Sequence, residues 1–231
     1  MGKLSNKQKT ILCYLVLALM FTLMGNTNNS PDPFVQRIFK PLRGDTWTFD
    51  YAGLIVIIGT YYCLKNLNQI KENYLTKTTF RRIVMALILL SASSNMWGYG
   101  IQLYKGFSHN LNSIYLDREQ TSVRFQGNEE LFKINGSIRM VNCSNEKQTF
   151  YIKIKTPSFI KDLIDEEYIV LKDEITVYPK SIEIVNFNEE IEIINEGQEQ
   201  SSYSTSAFEY ILFNDDDETL FKGTSNNYYF D

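Results

Sequence analysis

The sequence predicts a membrane α plus all-β protein, in which three N-terminal transmembrane helices precede an antiparallel β-sandwich. Residues 1–104 carry eleven Lys and Arg against four Asp and Glu, whereas residues 105–231 carry twelve against twenty-three. Three long apolar runs lie in the basic part, and the acidic part alternates apolar and polar residues as half-buried strands do. We therefore expect a membrane domain over 1–104, a juxtamembrane linker over 105–120 and an extracytoplasmic β domain over 121–231.

The first apolar run covers about residues 10–25 and follows three lysines. At about 1.5 Å per residue it is shorter than a hydrocarbon core of about 30 Å. A cleaved signal peptide is the open alternative. The run ends in Leu23-Met24-Gly25, which lacks the pair of small residues that signal peptidase prefers. We therefore expect it to be retained as a helix.

The second and third apolar runs cover about residues 47–64 and 83–103, and neither has a charged residue after Asp50. The N-terminal tail and the connection between these two runs hold eight basic residues, against three in the connection after the first run. Cytoplasmic segments are enriched in Lys and Arg. The prediction is a multi-pass protein of the cell membrane, with a cytoplasmic N-terminus and an extracytoplasmic C-terminal domain.

The connection after the first run predicts a short helix at the membrane surface. Asp32-Pro33 is a typical helix start, with Asp as N-cap and Pro at the first helical position, and Pro41 would end the helix. Its apolar positions would share one face, as in interfacial helices. The alternative is an irregular loop with scattered aromatic residues.

The third run carries a polar stripe at helical spacing, formed by Ser91, Ser94, Asn95 and Gly98. Small residues at this spacing allow close helix approach, and Asn or Ser can hydrogen-bond across such a contact. The stripe predicts packing either against the protein's own helices or against a separate membrane partner. It contains no charged residue that could bind an ion or relay a proton, which argues against transport.

The acidic part predicts seven or eight short strands separated by turn residues. One of them, Gln148–Lys155, alternates three apolar residues with three polar or aromatic ones. Between the strands, apolar residues of Pro157–Glu167 repeat at helical spacing and predict one or two helical turns. The other predicted strands cover 122–126, 132–142, 174–178, 180–187, 190–193, 207–213 and 219–222.

Two segments of the β domain carry a resemblance to a known fold. Gly136–Asn145, followed by Phe150–Ile154, resembles an early hairpin of immunoglobulin-like sandwiches on bacterial extracytoplasmic proteins. Tyr178–Ile184 resembles their later, proline-started strand. The resemblance covers about 60 residues of the printed sequence. It implies an immunoglobulin-like β-sandwich and no particular activity.

Few residues suggest chemistry, so neither a catalytic residue nor a cofactor is expected. His109 is the single histidine, and a pairing with Cys143 has no local signature of a catalytic dyad. The three cysteines do not form a disulfide framework, and no bridge is expected between Cys13 and Cys63 in their separate helices. Clustered carboxylates form a weak calcium candidate, with a solvated hairpin tip as the alternative: Asp215, Asp216, Asp217 and Glu218.

These features favour a non-enzymatic integral membrane protein over an enzyme. Its acidic β-sandwich would bind a protein partner, or the chain would be an accessory subunit of a membrane complex. An acidic surface repels nucleic acid, so the expected partners are the lipid bilayer and another membrane or envelope protein. The alternative is an envelope sensor, regulator or immunity-type protein that binds a small ligand or a cationic peptide.

Overall fold

The computed structural model describes residues 5–43, 48–49, 51–70, 77–127, 131–157, 164, 166–192, 202–205 and 208–223. The helices are α1 (Asn6–Leu23), α2 (Phe34–Ile38), α3 (Tyr51–Gln69) and α4 (Thr79–Gly106), with a 3-10 helix over Asn110–Ser113. The strands are β1 (Asn26–Thr27), β2 (Ser30–Pro33), β3 (Leu42–Arg43), β4 (Thr48–Phe49), β5 (Ile114–Gly127), β6 (Leu131–Asn142), β7 (Gln148–Lys155), β8 (Tyr168–Val170), β9 (Ile175–Val177), β10 (Ile182–Glu192), β11 (Ser202–Thr205), β12 (Tyr210–Phe213) and β13 (Glu218–Phe221).

The chain forms two compact units. The helical unit comprises Met1–Thr27 and Asp32–Gly100, and the β unit comprises Asn28–Pro31 and Ile101–Asp231. The division falls inside α4, so the last turn of that helix groups with the β unit. The first part of the chain therefore contributes four residues to the β unit.

The prediction of three transmembrane helices is wrong. Among the described residues only α4 is long and apolar enough to cross a membrane, with 28 residues and a mean hydropathy of 1.3 over its best window. The helix α1 begins with a polar turn that contains Lys7 and Lys9, and α3 ends in the polar stretch Lys65–Gln69. These polar ends shorten the apolar part of each helix below the length of a span. Short strands also alternate with helices in this part of the chain.

The start of α1 is fixed by a capping box. The backbone N–H of Gln8 donates to Ser5 Oγ at 3.3 Å, and the backbone N–H of Ser5 donates to Gln8 Oε1 at 2.9 Å. The pair satisfies two backbone donors that a helix N-terminus otherwise leaves unpaired. Further along, α1 packs against α3 through buried Leu17 and Leu67.

A short helix after the first apolar run is present as α2, but its predicted start is wrong, because Asp32 and Pro33 lie in β2 and Pro33 occupies the N-cap position. Its location at a membrane surface stays a prediction. Val35 is its buried residue, and the Phe34 ring meets the Trp97 ring edge-on at a centroid distance of 5.8 Å. Ile38 is exposed, so the apolar face is only partly covered within the helical unit.

The β unit contains two antiparallel sheets. One has four strands in the order β10-β6-β5-β11, and the other has five, in the order β13-β12-β7-β8 with β9 beside β7. Both sheets contribute to one buried cluster because their strands alternate inward apolar and outward polar residues. Its largest fully buried side chains are Tyr210, Phe125, Phe132, Phe150, Phe208 and Phe221.

The strand predictions are closest where alternation is regular: β7 spans Gln148–Lys155, as predicted. In contrast, the structure has no linker over 105–120, because β5 begins at Ile114 and both Ile114 and Leu116 are buried in the core. A register shift between Asp117 and Ser122 interrupts the pairing of β5 with β6 and masks this strand in the sequence. The helical turns predicted over 157–167 lie largely outside the described residues.

Asn28 inserts into the β unit from the connection between α1 and α2. Its side chain pairs with the backbone of Leu116 in both directions: Nδ2 donates to the carbonyl at 2.6 Å and Oδ1 accepts from the N–H at 2.8 Å. The carbonyl of Asn29 accepts from the N–H of Lys222 at 3.0 Å. The insertion thus connects β5 of one sheet to the end of β13 in the other.

Candidate functional site

The polar stripe of the third apolar run lies on α4. Ser91 is exposed and Gly98 is half-buried. The side chains of Ser94 and Asn95 lie outside the described part of the structure. Ser93, between the stripe positions, is buried instead. Packing through the stripe stays a prediction.

The four carboxylates of the calcium candidate do not share one environment. Asp215, Asp216 and Asp217 lie in the turn between β12 and β13, and Glu218 is the first residue of β13. In the turn, Asn214 Oδ1 accepts from the N–H of Asp216 and of Asp217 at 3.0 and 2.8 Å. Asp217 Oδ2 in turn accepts from the N–H of Leu111 at 3.1 Å. Asp215 and Asp216 are exposed. No group of three possible metal-ligating residues occurs among the described residues.

Five ion pairs lie on the described part of the β unit. They join residues of different strands or loops and use five of the twenty-three acidic residues over 105–231. The pairs are Lys133–Glu190 at 2.7 Å, Lys153–Glu218 at 3.6 Å, Lys155–Glu209 at 3.3 Å and Lys172–Glu189 at 3.1 Å, together with Arg139–Asp117.

The strand β10 is the long edge of the four-stranded sheet. It pairs with β6 over its full length, from Ile182 opposite Val141 to Glu192 opposite Leu131. Its other side carries no strand among the described residues. An edge of this kind offers backbone N–H and C=O groups to an extended segment of another chain.

Alternation along β10 gives this edge two different faces. Phe187 and Glu189 point inward and are buried, and Glu189 is held there by the backbone N–H of Lys172 at 3.2 Å. Ile182 and Ile184 point outward and are 53% and 51% exposed. We use the name β10 edge for the unpaired side of β10 together with its two outward residues, Ile182 and Ile184. Exposed isoleucines on an open edge are the pattern that most soluble sheets avoid.

The turn before β10 fixes where the edge begins. Lys180 adopts a positive φ of 55°. The hydroxyl of Ser181 donates to the Tyr178 carbonyl at 2.8 Å, and the Lys180 N–H donates to the Ser144 carbonyl at 3.2 Å. Tyr178 is 63% exposed. The turn therefore holds an aromatic ring out at the start of the β10 edge.

A buried lysine lies where the last turn of α4 joins the β unit. Lys105 is 3% exposed, and its ammonium donates to the Asn112 carbonyl at 3.1 Å and lies 4.9 Å from the centre of the Phe221 ring. Burial lowers the pKa of Lys105 to about 7. Nearby, the Lys180 ammonium donates to the Cys143 carbonyl. The cluster joins the helix end to both sheets.

We expect Lys105→Met to alter the pH dependence of stability. Between the folded pKa of about 7 and the ordinary lysine value of about 10.4, the unfolded chain binds the extra proton, so wild-type stability rises with pH. The rise is at most about 1.4 kcal/mol per pH unit. The variant lacks this pH-dependent contribution to the free energy of unfolding. Its free energy of unfolding should therefore exceed that of the wild type most below pH 7, and the difference should shrink towards pH 10.

Denaturation of the full-length chain in mild detergent at pH 6, 8 and 10 measures this difference. The matched control is Lys147→Met, because Lys147 is exposed. A difference between wild type and Lys105→Met that stays constant with pH would contradict a buried, titrating ammonium.

The structure does not assemble a dyad from His109 and Cys143. His109 is exposed at the N-cap of the 3-10 helix, whereas Cys143 is buried. Burial raises the pKa of the Cys143 thiol, and the neighbouring charges that lower it come from Lys105 and Lys180. A protonated, buried thiol beside two lysines is a poor nucleophile.

Sequence reasoning missed the contact between the other two cysteines. Cys63 of α3 belongs to the buried cluster between α1 and α3, and Cys13 of α1 packs against that cluster. Each residue lies in a long helical segment, and two cysteines 50 positions apart give no local signal of contact. The contact depends on how α1 packs against α3.

Comparisons with known proteins find no relative for this chain. No protein-family model matches it. Neither a curated protein nor a solved structure is significantly similar to it. The resemblance of the β unit to immunoglobulin-like sandwiches is therefore untested, and the function has to be argued from the chain's own residues.

Proposed function

We propose that this chain is a non-enzymatic membrane protein that crosses the bilayer with α4 and presents its β unit to a protein partner outside the cytoplasm. The observation that carries the proposal is a long apolar helix that leads directly into a folded β unit. Only 6% of the apolar window of α4 is buried within the protein. An apolar helix that is not buried in a protein core needs another apolar environment.

A bilayer fits the length and the ends of α4. Its apolar segment, Ile83–Leu103, is about 30 Å long at 1.5 Å per residue. Large apolar side chains along it, such as Leu87 and Ile88, are exposed. Near its C-terminal end Tyr104 and Phe107 are also exposed, as expected of aromatic residues at a membrane–water interface.

The basic residues around α4 suggest its orientation. Lys77, Arg81 and Arg82 precede the apolar segment, whereas Lys105 is the only Lys or Arg among the twelve residues that follow it up to Tyr115. Because positive charges are retained in the cytoplasm, the N-terminal end of α4 is expected there. The β unit would then lie on the extracytoplasmic side of the cell membrane.

The β10 edge supports a protein as the partner. An extended segment of another chain can add a strand to an open edge, with backbone hydrogen bonds for affinity and side-chain contacts for specificity. Ile182 and Ile184 alternate on the exposed face and would supply those contacts. The excess of acidic residues over 105–231 favours a partner with a basic segment and disfavours nucleic acid.

Gentle extraction of the full-length chain tests this proposal. We expect the chain in the membrane fraction, and in a heteromeric complex after solubilisation. Ile184→Lys places a charge on the β10 edge and should abolish the complex, whereas Gln126→Lys, an exposed change on the same sheet away from that edge, should preserve it.

Two outcomes would contradict the proposal in different ways. A chain that stays in the aqueous fraction would refute the membrane anchor. A monodisperse monomer in several mild detergents would refute the protein partner. Thermal stabilisation of that monomer by a cationic peptide or a small ligand would favour the envelope-sensor alternative, since a ligand of the native state raises stability.

A further inference from the structure

The helical unit contains a pair of thiols that the proposed function does not use. Cys13 and Cys63 lie in the same contact between α1 and α3, and burial raises the pKa of both thiols. Cys63 is 8% exposed and belongs to the buried cluster between α1 and α3, and Cys13 packs against that cluster. The two thiols thus share one packed helix–helix contact.

A second contact fixes the relative register of the two helices. A Cβ atom at Gly59 would lie 3.1 Å from Cε of Met20. Met20 lies C-terminal to Cys13 on α1, whereas its neighbour Gly59 lies N-terminal to Cys63 on α3. The two helices are therefore antiparallel. Leu17 and Leu67 are fully buried in the same contact. The thiols are positioned by packing on either side of them.

We propose that Cys13 and Cys63 form a redox modification site, a dithiol that closes reversibly into a disulfide between α1 and α3. A disulfide needs two sulfur atoms that can approach to about 2.05 Å without large backbone movement. Two thiols that share one packed helix–helix contact are favourably placed for that approach. Both cysteines are free in the structure.

The oxidant in this step is a small apolar disulfide, R–S–S–R. The thiolate of one cysteine attacks it, which forms a mixed disulfide and releases one R–SH. The thiolate of the other cysteine then attacks the protein sulfur of the mixed disulfide, forms the bond between Cys13 and Cys63 and releases the second R–SH. The two thiol protons leave with the two R–SH molecules, and a dithiol reductant reverses the reaction.

The closed form should hold α1 and α3 together. A disulfide constrains the unfolded chain, and this one would close a long loop that contains α2. Oxidation is therefore expected to raise the unfolding temperature of the helical unit and to slow hydrogen exchange in both helices. This inference does not depend on the proposed partner, because it concerns contacts within the helical unit alone.

The test uses the full-length Cys143→Ala variant in mild detergent, so that only the two proposed thiols remain. Dipyridyl disulfide is added under native conditions, and intact mass is measured. We expect a mass lower by two hydrogen atoms, no bound pyridyl group and no free thiol. Dithiothreitol should restore both thiols. Wild-type chain, treated in the same way and mapped by peptides, should show the same bond with Cys143 unpaired.

The matched control is the double variant Cys13→Ala, Cys143→Ala, which should stop at one pyridyl adduct on Cys63. Circular dichroism before oxidation checks that each variant keeps its helices. Two pyridyl adducts on the Cys143→Ala variant, a disulfide between two chains, a bond to Cys143 in the wild type, or no reaction in the native state would each overturn the proposal.

Discussion

Asn142→Ala is expected to destabilise the β unit by about 3 kcal/mol, because it removes the buried centre of a hydrogen-bond network. Asn142 is fully buried at the end of β6. Its Nδ2 donates to the carbonyls of Glu146 and Val177 at 2.7 and 3.0 Å. Its Oδ1 accepts from the N–H and the hydroxyl of Ser144 at 2.9 and 2.8 Å.

The alanine variant would leave these groups without their partner in a region from which water is excluded. A buried polar group that loses its hydrogen bond costs about 1–3 kcal/mol. The carbonyl of Val177 belongs to β9, so the loss should also loosen the pairing of β9 with β7. Asn142 is also the first residue of an Asn-x-Ser sequence, but as a buried residue it is not available as a glycan acceptor.

Hydrogen exchange measured by mass spectrometry on the full-length chain should show the effect as faster exchange throughout β6, β7 and β9. Asn145→Ala is the matched control, because Asn145 lies in the same turn and is exposed. It should change stability by about 0.5 kcal/mol or less. Equal effects from the two variants would show that the network contributes little to stability.

Gly136→Ala is the second substitution with a large expected effect. It should lower the free energy of unfolding of the β unit by about 3 kcal/mol or more. Gly136 lies in β6, between Val123 of β5 and Phe187 of β10. A Cβ atom at this position would overlap the carbonyl oxygen of Ser122 and lie 2.8 Å from Cζ of Phe187. A backbone oxygen of a paired strand cannot move aside without breaking the ladder.

A second substitution separates the two sources of the clash. Phe187→Leu shortens the side chain that meets the new Cβ atom, but it leaves the Ser122 carbonyl in place. The double variant should therefore recover only part of the lost stability. Gly100→Ala is the control, since nothing lies within 4 Å of a Cβ atom there. Full stability of Gly136→Ala by chemical denaturation would disprove the close approach.

Regular local patterns explain which elements the sequence predicted well. The strict alternation over Gln148–Lys155 predicted β7 with its observed bounds. The apolar residues between Pro33 and Pro41 predicted a helix there, but the Asp-Pro pair did not mark its start. In contrast, β5 was missed over its first residues, because the irregularity after Asp117 breaks the period of two that identifies a strand.

The prediction of three spans failed for a different reason. Apolar runs in α1 and α3 resemble spans when they are read alone, but the structure extends both helices into polar ends and packs one against the other. Between those ends the apolar part of each helix is too short to cross a bilayer. Several large apolar side chains stay exposed on both helices, Leu15 and Ile57 among them.

The sequence by itself determined the change from a basic helical part to an acidic β part, and the period of the regular strands. Only the tertiary structure decided which distant residues meet: Asn28 with Leu116, 88 positions away, and Cys13 with Cys63. It also decided that several glutamates are paired with lysines. The physical reason is that periodicity records which face of an element is buried, whereas pairing between distant elements depends on packing and register, which no local pattern contains.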